Sequence, residues 1–237
     1  MAAPPLLTHF SELGLAPVRH HYMGSLAERH CYAVEIADAA ITPEGLTTHA
    51  LRGLYGKLEE DLFLLAGRAT QILTWDRTHQ FCGQCGTPTQ HLAGERARKC
   101  PNCSLTCYPR LSPAVIVLVT RGDELLLVRG HNFPEAFYSL VAGFVEPGES
   151  LEEAVTREVH EEVGLELKDI QYFGSQPWPF PHQVMVGFNA TWSGGEIRVE
   201  KSELADARWF TRQNLPRIPP KGLSISRWLI DAFVEGQ

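Results

Sequence analysis

The chain has 237 residues, of which 44% are hydrophobic and 21% are charged, and its formal net charge is −7. This is the composition of a globular protein with one large or two smaller cores, and the negative charge argues against broad affinity for nucleic acid. We find no membrane-spanning apolar run and no signal-peptide pattern near the first residue, and therefore expect a cytoplasmic protein.

Residues 1–79 predict a small α+β domain. The run Cys31–Ile36 is typical of a strand, and a helix is predicted from residue 58 to 78. Its core face is indicated by apolar side chains at helical spacing, namely Leu62, Leu65, Ala66, Ala69, Ile72 and Leu73. The histidines here lack metal-ligand spacing, so we expect them to be exposed or bonded within the core: His9, His20, His21, His30 and His49.

Residues 80–108 carry two cysteine pairs. Cys82 and Cys85 form the first, Cys100 and Cys103 the second, and fourteen residues separate them. Four thiolates at this spacing can close a tetrahedral shell that leaves no position for water, so we predict a structural Zn²⁺ in a zinc ribbon with a hairpin turn at Ala93 and Gly94. Disulfides are disfavoured because nothing signals secretion. The two remaining cysteines, Cys31 and Cys107, lie outside the paired spacing.

Residues 109–237 predict a mixed sheet flanked by helices, an α/β sandwich. Apolar runs indicate the first two strands, joined by a turn at residues 121–123. The predicted strands are Ala114–Thr120, Glu124–Val128, Phe137–Ala142, Val184–Trp192 and Ala207–Thr211, and a closing helix is predicted over Leu223–Phe233.

A further helix is predicted between Ser150 and Gly164. Ser150 with Glu153 forms a capping box, and Gly164 stands where a left-handed residue ends a helix. At 100° per residue, Glu158 and Glu162 fall within the apolar stripe of this helix. Two inward carboxylates must protonate or bind a cation, and hard divalent ions prefer carboxylate oxygens. We therefore predict a divalent metal site here.

The spacing around this helix resembles the Nudix box. It is matched at nine positions: Gly143, Glu149, Arg157, Glu158, Val159, Glu161, Glu162, Gly164 and Leu165. Gly143 and Gly148 also bracket Pro147 in what we expect to be a tight loop that brings backbone carbonyls towards the same cation.

A proline-rich segment, Ser175–Pro181, follows. Its three prolines predict a stiff extended loop that presents Trp178 and Phe180 to a planar ligand with little ordering cost. The alternative, a surface loop that packs its aromatic rings on its own core, stays open on composition alone.

Together, the ribbon, the box and this segment resemble the NADH pyrophosphatase family of Nudix hydrolases. The likeness runs from about Asp76 to the end of the chain and includes the segment Tyr108–Pro113. It implies a Nudix α/β/α sandwich, hydrolysis of NADH or NAD⁺ to NMN(H) and AMP, removal of NAD caps from RNA 5′ ends, and a homodimer.

The resemblance also implies a set of site residues. Mg²⁺ or Mn²⁺ would be held by the carboxylates of Glu158, Glu161, Glu162 and Glu203 and by the Ala142 carbonyl. Arg157 would orient the box carboxylates, with Glu149 in support. The substrate pocket would include Tyr108, Phe144, Gln176 and Trp178. His182 departs from the family pattern, where a small or amide residue is expected.

Two alternatives remain. One is a Nudix hydrolase for other nucleoside diphosphate derivatives, which would leave the proline-rich segment unexplained. The other is a zinc-ribbon protein that binds nucleic acid or a partner and uses its Nudix domain as a ligand sensor; a full set of carboxylates argues against it. Four basic residues near the ribbon could meet RNA phosphates, although a solvated basic edge is the preferred interpretation: Arg96, Arg98, Lys99 and Arg110.

Overall fold

A computed structural model describes residues 3–37, 42–222 and 224–236. The chain divides into two compact units. The first comprises Met1–Arg110 with Pro179–His182, and the second comprises Leu111–Trp178 with Gln183–Gln237.

After a short 3-10 turn (Phe10–Leu13), the first unit has an antiparallel hairpin of β1 (Pro17–Leu26) and β2 (Arg29–Ile36). A second 3-10 turn (Leu51–Leu54) and helix α1 (Glu60–Thr78) follow. The predicted helix and second strand are confirmed, whereas β1 was not predicted as a separate strand. One face of the hairpin packs on α1 around a small core of Met23, Ala33, Ile72 and Trp75. The helix thereby buries apolar side chains that the hairpin alone could not cover.

The ribbon consists of β3 (Gln90–His91), β4 (Arg98–Lys99) and β5 (Thr106–Cys107), which pair in that order. The predicted hairpin turn is confirmed, since the Leu92 N–H donates to the Ala97 carbonyl at 3.0 Å and Gly94 has a φ of +81°.

Arg98 does not belong to a solvated basic edge. Its side chain is buried, and its guanidinium forms an ion pair with the buried Asp76 at the end of α1. His21 Nε2 lies 3.0 Å from the same carboxylate, so this histidine is bonded within the core, as expected. Burial alone would raise the pKa of Asp76, but the hydrogen bonds from Arg98 and His21 lower it. The Asp76 carboxylate on the helix therefore links the hairpin, through His21, to the ribbon, through Arg98.

Within the described residues, the second unit has a six-stranded mixed sheet. Five strands follow the order β11-β7-β6-β10-β9, and β8 pairs with β6. The elements in chain order are β6 (Ser112–Arg121), β7 (Glu124–Gly130), β8 (Val141–Phe144), α2 (Leu151–Val163), β9 (Glu166–Trp178), β10 (Gln183–Gly194), β11 (Leu204–Thr211) and α3 (Ile225–Glu235).

The two helices cover opposite faces of this sheet, which confirms the α/β/α sandwich. Along β6, Val115, Val117 and Val119 pack in the core that includes α2. Ile116 and Leu118 pack in the core that includes α3. Burial on both faces explains why the strand sequence is continuously apolar.

Two sequence predictions for this unit are wrong. The third strand was predicted over Phe137–Ala142 but lies at Val141–Phe144. This segment is the one that pairs antiparallel with Ala114–Val117 of β6. The segment Ser175–Trp178 is the end of β9, paired with β10, rather than a loop. Pro177 is tolerated because β9 is an edge strand, where a missing N–H need not interrupt a ladder. The closing helix begins at Ile225, and Leu223 lies outside the described residues.

In the part of the chain that the structure describes, no helix is long and apolar enough to cross a bilayer.

Candidate active site

Helix α2 is capped at both ends as predicted. The Glu153 N–H donates to Ser150 Oγ at 3.2 Å, and the Ser150 N–H donates to Glu153 Oε2 at 2.7 Å. Gly164 ends the helix with a φ of +72°. These caps fix the helix boundaries and hence the face on which each glutamate lies.

Glu158 and Glu162 point inward from this helix. Glu162 is 7% exposed, and the Glu158 side chain is 12% exposed. Both lie on the face that also buries Val155, Val159 and Val163. The prediction of carboxylates within an apolar stripe is thus confirmed.

Gly143 makes room for the Glu158 carboxyl. It lies in strand β8 rather than in the predicted loop, and a Cβ added there would overlap the Glu158 carboxyl group. The residue is glycine because a side chain packs against its Cα, and no unusual backbone angle is needed. Gly148 does require one, with a φ of +98°.

Arg157 holds three carboxylates at once. Its Nε and Nη2 donate to the two oxygens of Glu149 at 3.0 and 2.6 Å. Its Nη1 donates to Glu158 at 2.9 Å and to Glu161 at 3.1 Å. Nη2 also donates to the Phe144 carbonyl at 2.9 Å. These five bonds use all five guanidinium N–H groups, so Arg157 orients the box carboxylates as expected.

The carboxyl groups at this site have shifted pKa values. Burial, followed by repulsion from Glu158 and Glu203, raises the pKa of Glu162 to about 8. Burial also raises the pKa of Glu158, although the hydrogen bond from Arg157 opposes the rise. In contrast, the hydrogen bond from Arg157 lowers the pKa of Glu149.

Glu203 reaches this cluster through backbone bonds at the end of α2. The Arg198 N–H donates to the Val163 carbonyl, and the Glu200 N–H donates to the Glu162 carbonyl, both at 2.8 Å. A turn closed by the Glu203 N–H and the Glu200 carbonyl follows at 3.1 Å. The segment before β11 is thereby held beside the helix, and its charge acts on Glu158 and Glu162.

The donor set fits a hard divalent cation. Among the described residues, no side chain donates a hydrogen bond to the Glu162 carboxylate or forms an ion pair with it. A buried carboxylate without such a partner is stabilised by a cation that accepts oxygen ligands. Within the same described ranges, no three carboxylates approach one another as closely as the ribbon thiols do.

The four ribbon cysteines form a compact cluster. Their Sγ atoms all lie within 4.8 Å of one another, with Cys82–Cys103 and Cys85–Cys100 at 3.5 Å. Tetrahedral zinc with bonds of about 2.3 Å requires sulfur atoms about 3.8 Å apart. The thiols are free and fit a closed Zn²⁺ site.

The residues expected to contact substrate differ in surroundings. Tyr108 and Phe144 expose their rings, and the Tyr108 hydroxyl donates to Glu95 at 2.9 Å. Gln176 Oε1 accepts from the Ile225 N–H at 2.8 Å, at the start of α3. Trp178 is half-buried at the end of β9 and pairs with Gln183. Their roles towards substrate stay predictions, as does the effect of His182.

Three segments of the chain match known families in succession. Residues 4–75 match the NADH pyrophosphatase-like rudimentary Nudix domain, residues 77–108 the NADH pyrophosphatase zinc ribbon domain, and residues 110–229 the Nudix domain. The NAD-capped RNA hydrolase NudC of Stutzerimonas stutzeri (strain A1501) is 53% identical over 197 residues, which cover 83% of this chain and 71% of that protein.

The chain belongs to the NADH pyrophosphatase family of Nudix hydrolases.

A second relative agrees with this assignment, and a solved structure matches the fold. The NAD-capped RNA hydrolase NudC of Deinococcus radiodurans is 46% identical over 215 residues, covering 89% of this chain and 76% of that protein. The crystal structure of a Nudix hydrolase from Nitrosomonas europaea has a TM-score of 0.57 and 23% identity, and covers 67% of this chain and 92% of that one. The structural likeness supports the fold.

Two features of this Nudix site were not predicted from the sequence. One is the contact between Gly143 and the Glu158 carboxyl, and the other is the bond from Arg157 to the Phe144 carbonyl. Both join the helix to strand β8. A glycine in an otherwise apolar strand was the available signal, because it indicates close approach by another group.

Proposed function

We propose that this enzyme hydrolyses the diphosphate bond of NADH and NAD⁺ to NMN(H) and AMP, and also removes NAD caps from RNA 5′ ends. The observation that carries the proposal is the buried pair Glu158 and Glu162, with no cationic partner on Glu162 among the described residues. The family matches and the names of the related hydrolases support the substrate class.

We further propose Mg²⁺ or Mn²⁺ as the catalytic cation. Glu158, Glu162 and Glu203 would hold it, and Glu161 and the Ala142 carbonyl would complete the donor set. When bound, the cation neutralises charge on the diphosphate and lowers the pKa of an attacking water. The water oxygen bonds to phosphorus, the bridging P–O bond breaks, and a nearby carboxylate accepts the proton.

In this proposal, Arg157 is a positioning residue. Its bonds fix Glu149, Glu158 and Glu161 relative to the Phe144 carbonyl. Because all its N–H groups are used within this network, it does not itself bind the diphosphate. Lysine could not replace it, since an ammonium has three donors and no planar fork.

Substrate recognition is assigned to aromatic and amide side chains. The exposed rings of Tyr108 and Phe144 and the indole of Trp178 offer faces on which nucleobases stack. The bond from Gln176 to the start of α3 holds the end of β9 in place, which supports a precise location for Trp178.

The test is product analysis with NADH, NAD⁺, ADP-ribose and NAD-capped RNA side by side. We expect NMN(H) and AMP from the dinucleotides, AMP from ADP-ribose, and 5′-monophosphate RNA from capped RNA, each only with Mg²⁺ or Mn²⁺. Glu162→Gln should lower turnover about a thousandfold, whereas Glu152→Gln, on the exposed face of α2, should leave it unchanged. Turnover of other nucleoside diphosphates alone would favour the broader Nudix function, and cation-independent binding without turnover would favour a ligand sensor.

Two assembly properties are also proposed. We expect a homodimer, as the family resemblance implies, with its mass measurable by light scattering during size-exclusion chromatography. We also propose a cytoplasmic location, supported by six cysteines that are free of disulfides in the described structure, since a reducing compartment keeps ribbon thiols available for Zn²⁺.

A further inference from the structure

The turn between β9 and β10 packs against helix α1. This turn, Pro179–His182, groups with the first unit, and Pro179 is buried. A Cβ added at Gly67, in the middle of α1, would lie 2.9 Å from Pro179 Cγ and 3.5 Å from its Cβ. The proline ring therefore occupies the space that any larger residue at position 67 would need.

Gly67 is an unusual residue for the interior of helix α1. Glycine is unfavourable in a helix interior, and this one has ordinary helical geometry, since its φ is not positive. Its backbone thus offers no reason for glycine. The contact with Pro179 does, because only a residue without a Cβ lets the turn approach the helix this closely.

The neighbouring Phe180 makes a second contact within the first unit. The guanidinium carbon of Arg52 lies 4.3 Å from the centre of the Phe180 ring. This is cation–π distance. Arg52 belongs to the 3-10 turn Leu51–Leu54, so two separate elements hold consecutive residues of the β9–β10 turn.

The held residues directly follow the predicted substrate residues. Trp178 precedes Pro179 in the chain, and Gln176 lies two residues earlier. The strand ladder continues to the end of β9, with Met185 opposite Gln176 and Gln183 opposite Trp178. A displacement of Pro179 is therefore transmitted to Trp178 through the backbone and its ladder.

We propose that Gly67 and Arg52 are positioning residues that set the place of Trp178 through the β9–β10 turn. These two residues then affect substrate affinity without contributing a group to the chemistry. The kinetic consequence rests on the proposed function, whereas the placement of Trp178 does not.

The test compares Gly67→Ala, Pro179→Ala and the double variant in the full-length protein. We expect Gly67→Ala to raise KM for NADH about tenfold with little change in kcat, because the turn moves while the metal site stays intact. Removing the proline ring makes room for the new methyl group, so the double variant should match Pro179→Ala alone. Gly53→Ala is the matched control, since a Cβ there meets no atom within 4 Å.

A second readout does not depend on turnover. The indole N–H signal of Trp178, assigned with Trp178→Phe, should shift in the NMR spectrum of Gly67→Ala and be unaffected by Gly53→Ala. Arg52→Leu should shift it as well. Unchanged indole signal and KM in Gly67→Ala would overturn the proposal, as would an equal loss of kcat on every substrate. If the wild type does not cleave NADH, the proposed function fails, and the NMR shift alone decides the positioning.

Discussion

Glu162→Gln should have opposite effects on stability and on catalysis. Burial and the charges of Glu158 and Glu203 raise the pKa of Glu162 from 4.5 to about 8. Because the folded value is the higher one, this group favours folding fully below pH 4.5 and loses that contribution as the pH rises through 8. Without divalent cations, the contribution of Glu162 lowers the free energy of unfolding by about 1.4 kcal/mol per pH unit between pH 4.5 and 7. The loss over this range is roughly 3 kcal/mol.

Glutamine has the same shape and never ionises. We therefore expect cation-free Glu162→Gln to unfold with a free energy about 3 kcal/mol above that of the wild type at pH 7, and the difference to close towards pH 4.5. With saturating Mg²⁺, the same variant should be about a thousandfold slower, equivalent to about 4 kcal/mol of lost transition-state stabilisation.

The assay is urea unfolding from pH 4.5 to 8, in buffer freed of Mg²⁺ and Mn²⁺ by gel filtration. Strong chelators are avoided because they would also remove metal from the ribbon. Glu152→Gln should change neither stability nor rate, since Glu152 is exposed. A Glu162→Gln protein that is less stable than wild type at pH 7, or that hydrolyses NADH at a near-normal rate, would refute the reasoning.

Three more outcomes are expected. Gly143→Ala should displace the Glu158 carboxyl and lower kcat by about a hundredfold or more while circular dichroism stays unchanged; Gly174→Ala, which meets no atom within 4 Å, is its control. Metal analysis should find about one zinc per chain, and Cys85→Ser should lose both zinc and folding stability; freshly purified wild type without zinc would contradict this. Trp178→Ala should lower kcat/KM for NADH by about ten- to a hundredfold and for ADP-ribose by less, whereas equal losses would indicate a scaffold role.

Local patterns in the sequence were sufficient for the metal platform and the ribbon. The caps at Ser150 and Gly164 and the inward direction of Glu158 and Glu162 follow from helical periodicity, which depends on residues within a few turns. The cysteine pairs likewise need only short spacings to converge. The continuous apolar run of β6 also indicated a strand, and the burial of its two faces accounts for that run.

The sequence did not reveal contacts between distant segments. Arg98 was expected at a solvated edge, yet the fold buries it against Asp76, 22 residues away. Strand β9 was missed because it lies at the sheet edge and carries Pro177 and exposed polar side chains that obscure its alternation. The proline-rich segment was expected to be a loop for the same reason.

The tertiary structure also decided the meaning of two glycines. Gly143 and Gly67 look alike in the sequence, but one faces the Glu158 carboxyl and the other faces Pro179. Sequence spacing determines which residues share a face of their own element. Which groups meet across elements depends on strand register and helix packing, and these are fixed by the whole core because each element can bury its apolar face only against the others.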